Sequence, residues 1–184
     1  MANTLTLNGY FGVKQAFHVS DPVIATGWYA GYLFNVASIG LSGAGVLQGA
    51  VGARGPFVGL NATSGAAIAG VAMENSSDES LAVAGMSHPS GSKVTLLHGH
   101  STFFIDFGGT ATSATTRQST GAPWEVDIES ASLMDMLYAS SNAKFCEATG
   151  GDAAEQDTIK HAIGHCTQVP AAGNSWTLGV TLYG

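Results

Sequence analysis

The stretch KVTLLHGHSTFFIDF, residues 93–107, decides the fold. It is rich in β-branched and aromatic residues and has no proline. One glycine, Gly99, interrupts it midway. This predicts two strands hinged near Gly99, not a helix. The same grammar continues toward the C-terminus. WTLGVTLY at 176–183 reads as a closing strand, and 159–169 as a strand with Gly164 inside it. Residues 138–145 read as a hairpin with Ser141 and Asn142 at its tip. WEVDI at 124–128 reads as a strand and 132–137 as a short helical turn.

Toward the N-terminus, 67–73 (AIAGVAM) and 57–60 read as buried strands, and 23–36 as another. Between them, 38–56 carries glycine at 40, 43, 45, 49, 52 and 55. Each interior glycine costs a helix about 1 kcal/mol against alanine, so short strands with tight turns are expected. Residues 81–86 suit one helical turn, with Ser77 or Asp78 as its cap. Turns are expected at 88–92, 150–155 and 170–174. A dozen or so short strands punctuated in this way predict an all-β fold, a compact barrel or sandwich.

In residues 1–20, Leu5 and Leu7 alternate with Thr4, Thr6 and Asn8, a period of two. These residues are expected to form an extended N-terminal arm. Residues 21–184 then form the barrel or sandwich domain. Flexible loops are expected near 74–93 and 108–123, the latter a low-complexity run of Gly, Thr, Ser and Ala with one charge.

Only 10% of the 184 residues are charged, six Lys and Arg against thirteen Asp and Glu. An ordinary domain has about 25%. So few cations argue against nucleic-acid binding, which draws on phosphate neutralisation. Apolar content of 45% excludes a disordered chain. The N-terminus lacks a signal-peptide pattern and no apolar run reaches membrane-spanning length, so cytoplasmic synthesis and no membrane partner are expected. A surface this poor in charge suits one covered by other proteins, because interface cores are depleted in Lys, Glu and Asp. Cys146 and Cys166 stand in no metal-binding spacing. They read as two buried free thiols in preference to one bridge.

Motifs for chemistry are sparse. His98 and His100 would share one face of a strand, as two metal ligands could, but no third ligand is near in sequence. His161 and His165 have the spacing of a zinc-binding helix, yet Ala162 occupies the place of the required glutamate. Glu125, Asp127 and Glu129 alternate along the expected strand and read as a solvated edge face. No nucleophile elbow, Walker loop or dinucleotide fingerprint occurs. No enzyme activity, metal or cofactor is expected.

The segment 134–138 (MDMLY), the Ser141-Asn142 turn, Lys144-Phe145, 162–164 (AIG) and 178–182 (LGVTL) together resemble the C-terminal pattern of tailed-bacteriophage head decoration, or capsid cement, proteins. Residues 28–73, from Trp28-Tyr29 to Ala69-Gly70-Val71, loosely resemble the earlier half of such chains. Asp135 stands where the family pattern has glycine before it, and His165-Cys166 where Val-Ala is usual. The resemblance implies a β-rich structural virion protein on the outer surface of an icosahedral head. It would usually be a homotrimer, with the major capsid protein as partner, stabilising the shell against internal pressure. Leu5, Leu7, Tyr10 and Phe11 of the arm are the expected capsid or neighbour-subunit contacts. The alternative is a carbohydrate-binding β module on a virion or tail surface, with Trp28, Tyr29, Tyr32, Trp124 and Trp176 as stacking platforms.

Overall fold

The computed structural model describes residues 3–9, 12–19, 28–39, 56–61, 64–65, 67–76, 93–110, 113–119, 121–147 and 162–183. The fold is all-β. Among the described residues the strands are β1 (Thr4–Leu7), β2 (Val13–Val19), β3 (Leu33–Ile39), β4 (Pro56–Leu60), β5 (Gly70–Ala72) and β6 (Lys93–His98). They continue with β7 (Ser101–Asp106), β8 (Met136–Ala139), β9 (Phe145–Glu147), β10 (Gly164–Gln168) and β11 (Thr177–Leu182). Strands β2-β4-β3-β5-β6 close into a barrel, and the others form a six-stranded sheet in the order β1-β7-β11-β10-β8-β9.

Residues 93–107 behave as their pattern predicts. β6 belongs to the barrel and β7 to the sheet. The chain passes between them at Gly99, whose φ of +78° is a conformation that glycine adopts without strain. This crossing seats the barrel on the sheet. β5 is therefore buried on both faces, and so are Leu33-Phe34 of β3 and Leu96-Leu97 of β6, which explains why these apolar residues run on without alternating. Leu33, Val71 and Leu97 lie in register and face the sheet, where they join Phe103, Ile105, Trp124, Leu137, Phe145 and Val180. Phe34, Ala72, Val94 and Leu96 join Val19, Trp28 and Val58 in a second core.

The described residues of the expected arm form β1 and β2, which are woven into the domain. β1 pairs antiparallel with β7, Leu5 opposite Ile105 and Leu7 opposite Phe103. β2 pairs with β6 along six residues, from Val13 opposite His98 to His18 opposite Lys93. Asn3, 4% exposed, donates from Nδ2 to the carbonyls of Ala30 and Gly121.

Four local expectations differ from the structure. Of the strand expected at 23–36, residues 28–32 form a turn, 23–27 lie outside the described residues, and the strand runs from Leu33 to Ile39. Within 108–123, residues Ala114–Ser119 form a short helix, and Arg117 is buried. Its guanidinium donates from Nε to Glu129 Oε1 at 2.9 Å and from a second nitrogen to Glu129 Oε2, and it lies 3.3 Å from the centre of the Trp176 ring. One cation thus packs a segment that composition alone reads as flexible. Trp124 makes only an isolated bridge to Phe145, and Val126–Ser130 is a 3₁₀ turn, not a strand. The expected helical turn at 132–137 is instead a tight turn leading into β8. The 138–145 hairpin does form, with β8 against β9. The glycine-punctuated stretch at 40–55, the helical turn at 81–86 and most of the loop at 74–93 lie outside the described residues.

Candidate functional site

The outer face of the six-stranded sheet is built by alternation. Residues with side chains opposite to Phe103, Ile105, Leu178 and Val180 must point away from the core. Register aligns Thr4 with Asp106 and Thr177, Thr6 with Phe104 and Gly179, and Thr102 with Thr181, His165 and Met136. Threonine supplies half of these aligned residues, with Thr177 and Thr181 themselves buried, and Asp106 is the one carboxylate among them. Thr102 and Thr181 share a hydroxyl hydrogen bond of 3.0 Å, and Thr177 Oγ1 donates to Asp106 Oδ1 at 2.5 Å. Thr6, Phe104, Asp106, Gln168 and Thr177 line a shallow hollow of ≈ 260 Å³.

One end of this face is apolar. Leu133 is 64% exposed, Met134 65% and Met136 47%. Met136 lies opposite His165, whose ring sits tilted by 44° against the exposed Tyr183, 5.6 Å between ring centres. The Tyr138 hydroxyl donates to Met136 Sδ at 3.6 Å. Met134 has φ of +73°, a left-handed conformation that is strained for a side-chain-bearing residue. Its amide donates to the Cys166 carbonyl at 2.8 Å, and the Ser132 amide to Asp135 Oδ2 at 2.6 Å, so the turn is pinned in that strained form.

A polar cluster surrounds the hairpin tip, beside a depression of ≈ 360 Å³. Glu125 Oε1 accepts from Ser140 Oγ at 2.8 Å and Asn142 Nδ2 at 2.9 Å. Asp127 accepts the amides of Ile128 and Glu147, both at 2.9 Å. Burial outweighs those two bonds and raises its pKa. Burial also lowers the pKa of Lys144 and pushes Tyr32 up to about 12, with the neighbouring Tyr29 hydroxyl and Glu125 adding to the latter. Each carboxylate here closes a turn or caps an amide. The cluster serves to hold 123–130 against the hairpin.

The expected site residues fall as follows. Leu5 and Leu7 are half-buried and pack on the chain's own core, leaving Thr4 and Thr6 exposed on β1. Tyr10 and Phe11 lie outside the described residues. His98 and His100 do not share a strand face, because β6 ends at His98 and Gly99 turns the chain. His165 sits on strand β10, so the zinc-helix spacing has no helix beneath it, and His161 lies outside the described residues. Glu125, Asp127 and Glu129 do not form a solvated strand face; each turns to a different partner, Glu129 to Arg117 and Trp124. Trp28 and Trp124 are buried and Trp176 lies against Arg117, so none of the three offers a free stacking surface. Cys146 and Cys166 are free and buried.

Sequence reasoning missed the threonine face and the Leu133–Met136 patch. Alternation of threonine in 4–6 and 177–181 was visible, but which strands stand side by side is a long-range property. Among the described residues, no three His, Cys, Asp or Glu side chains gather as a metal site. No helix among them is long and apolar enough to cross a membrane. No family model, curated protein or solved structure matches this chain.

Proposed function

We propose that this chain is a non-catalytic structural protein that docks on other protein surfaces, and specifically a capsid decoration protein on the outer surface of a tailed-phage head, working as a homotrimer. One observation carries the reading: exposed Leu133, Met134 and Met136 adjoin a threonine-rich sheet face on which Asp106 is the one carboxylate among the aligned described residues, in a chain with only 10% charged residues. Apolar surface rimmed by uncharged polar groups is how protein-binding faces are made. The backbone strain at Met134 holds a large apolar side chain out into water, which folding alone does not reward.

In this reading the contact is made by the 133–136 turn, Tyr183 and the sheet face. Leu5 and Leu7 contribute by holding β1 in place. β1 ends the sheet order, so a neighbour's strand could add to it by main-chain hydrogen bonds. Three copies linked as a trimer would bind more tightly than one, by about 10²-fold or more, if all three reach the shell.

Co-sedimentation with empty heads of the encoding virus tests this. The wild-type protein is expected in the pellet and a Met134→Asp/Met136→Asp double variant in the supernatant. Wild-type protein that stays in the supernatant overturns the reading. A second reading, a carbohydrate-binding module, is favoured by the hollow, where Phe104 offers a ring beside the polar groups of Asp106, Gln168 and Thr6. Titration with neutral oligosaccharides, with Asp106→Ala as control, distinguishes it.

A further inference from the structure

The six-stranded sheet ends in β1 on one side and β9 on the other. The chain covers the β9 edge itself. The Phe145 amide donates to the Pro123 carbonyl at 3.0 Å, the Glu125 amide to the Phe145 carbonyl at 2.8 Å, and the Glu147 amide to Asp127 Oδ2 at 2.9 Å. The β1 edge differs. The Asn8 amide donates to the Thr102 carbonyl at 2.8 Å, so in the register of β1 with β7 the even-numbered residues bond into the sheet. The amides and carbonyls of Leu5 and Leu7 therefore point away from β7, and among the described residues nothing bonds to them. Asn3, the preceding residue of the same parity, is closed off, because the Asn75 side chain accepts its amide and donates to its carbonyl.

Edge strands are commonly guarded by a charge, a proline or a bulge, and β1 (TLTL) has none of them. We propose that β1 pairs antiparallel with β1 of a second copy, about a two-fold axis at Thr6. Self-complementarity selects that occupant. Residues opposite each other across a strand pair share a face, so leucine must meet leucine and threonine meet threonine. One register does this for both leucines. Thr6 then lies opposite its counterpart, Leu5 meets Leu7 on either side of the axis, and each of those pairs exchanges both its N–H···O bonds. A slip of two residues sets a leucine against Asn3, whose main chain Asn75 occupies, or against Gly9, whose carbonyl takes the Thr102 amide. Leu5 and Leu7 are half-buried on the chain's own core, and the pairing covers more of each. Thr6 is exposed, and threonine opposite threonine is a favourable pair. In a trimer this contact would join one assembly to the next. It rests on the strand addition proposed for β1. It lies far in the sheet order from β8 and the 133–136 turn, so its failure leaves capsid docking standing.

Sedimentation velocity on the full chain tests this. Thr6→Lys and Thr6→Glu each set like charges against each other at the axis, so each should convert the wild-type species into a smaller one. Near-ultraviolet circular dichroism should not change, because Thr6 is exposed. An equimolar mixture of the two variants should restore the larger species. Under mild oxidation Thr6→Cys should form a reducible covalent dimer, because a non-hydrogen-bonded pair sets its Cα atoms about 4.5 Å apart, within disulfide reach. Cys146 and Cys166 are buried and do not compete. Thr4→Cys should not cross-link, its two copies lying about 14 Å apart along the strands. Wild-type protein that sediments as Thr6→Lys does, a mixture that stays small, or equal cross-linking of Thr4→Cys and Thr6→Cys would each overturn the proposal.

Discussion

Asn3 and Asn75, 72 residues apart, are bonded reciprocally: the Asn3 amide donates to Asn75 Oδ1 at 3.1 Å, and Asn75 Nδ2 donates to the Asn3 carbonyl at 2.9 Å. Asn75 Oδ1 also accepts the Ala30 amide at 3.1 Å. Asn75→Ala orphans two amides and one carbonyl in a part-buried setting, at about 1–3 kcal/mol. Urea unfolding should show a lowered midpoint with an unchanged slope. Deleting residues 1–20 removes β1, β2 and the Asn3 bonds together. The truncated chain is therefore expected to lose its cooperative unfolding transition, read by near-ultraviolet circular dichroism.

Arg117 and Glu129 form a buried, two-pronged ion pair. Removing one partner leaves a buried charge without its match, at about 3–5 kcal/mol. Arg117→Ala should lower stability by that amount. A double variant with Glu129→Ala should lose less than the sum of the two single losses, and a double-mutant cycle by denaturant titration measures the difference.

Alkali should destabilise the fold. Burial pushes the Cys166 thiol up to about 11 and the Tyr32 phenol up to about 12. In the unfolded chain both groups lose their protons at lower pH, near 9 and 10. Between the unfolded and folded values the native state holds more protons, so stability falls as pH rises. It is fully present below pH 9 and is lost progressively from there to about pH 12. Unfolding free energy measured from pH 8 to 11 should decline, and Cys166→Ala should decline less. At pH 8 neither thiol should react with a disulfide reagent until denaturant is added.

Met134→Gly should separate stability from docking. Glycine relieves the positive φ, worth up to about 1 kcal/mol, offset in part by the entropy of the freer unfolded chain. Thermal stability should hold or rise slightly, while head binding weakens. A marked loss of Tm would instead mean that the side chain is needed for folding.

Gly164→Ala should be among the most damaging single changes. A Cβ there would stand against the Thr181 carbonyl oxygen, closer than real Cβ contacts come. β10 lies between β8 and β11, and cannot retreat without breaking both pairings. A loss of about 2 kcal/mol or more is expected by thermal denaturation.

The readable parts of this chain were those where one strand's own alternation carries the message. Residues 93–107 and 176–183 announce strands because their side chains sort by face, and Ser141-Asn142 announces a turn by its own chemistry. Residues 124–130 did not. The alternation of Glu125, Asp127 and Glu129 fits a strand as well as a 3₁₀ turn. The choice is made by Ser140, Glu147 and Arg117, which lie 12 to 20 residues away in the chain. The low-complexity run at 108–123 hides its order for the same reason, because one arginine and a distant tryptophan organise it. Leu5 and Leu7 were legible as alternating residues, but whose core they enter depends on a pairing across almost 100 positions.

The passage of one backbone from β6 into β7 ties a hoop to a plank. Tension applied along the plank runs through Gly99 into the hoop, which closes at a seam of two residue pairs, His18 with Phe57 and Val19 with Val58. The hoop is therefore expected to part first at that short seam, while β6 keeps its hold on β2 along six residues.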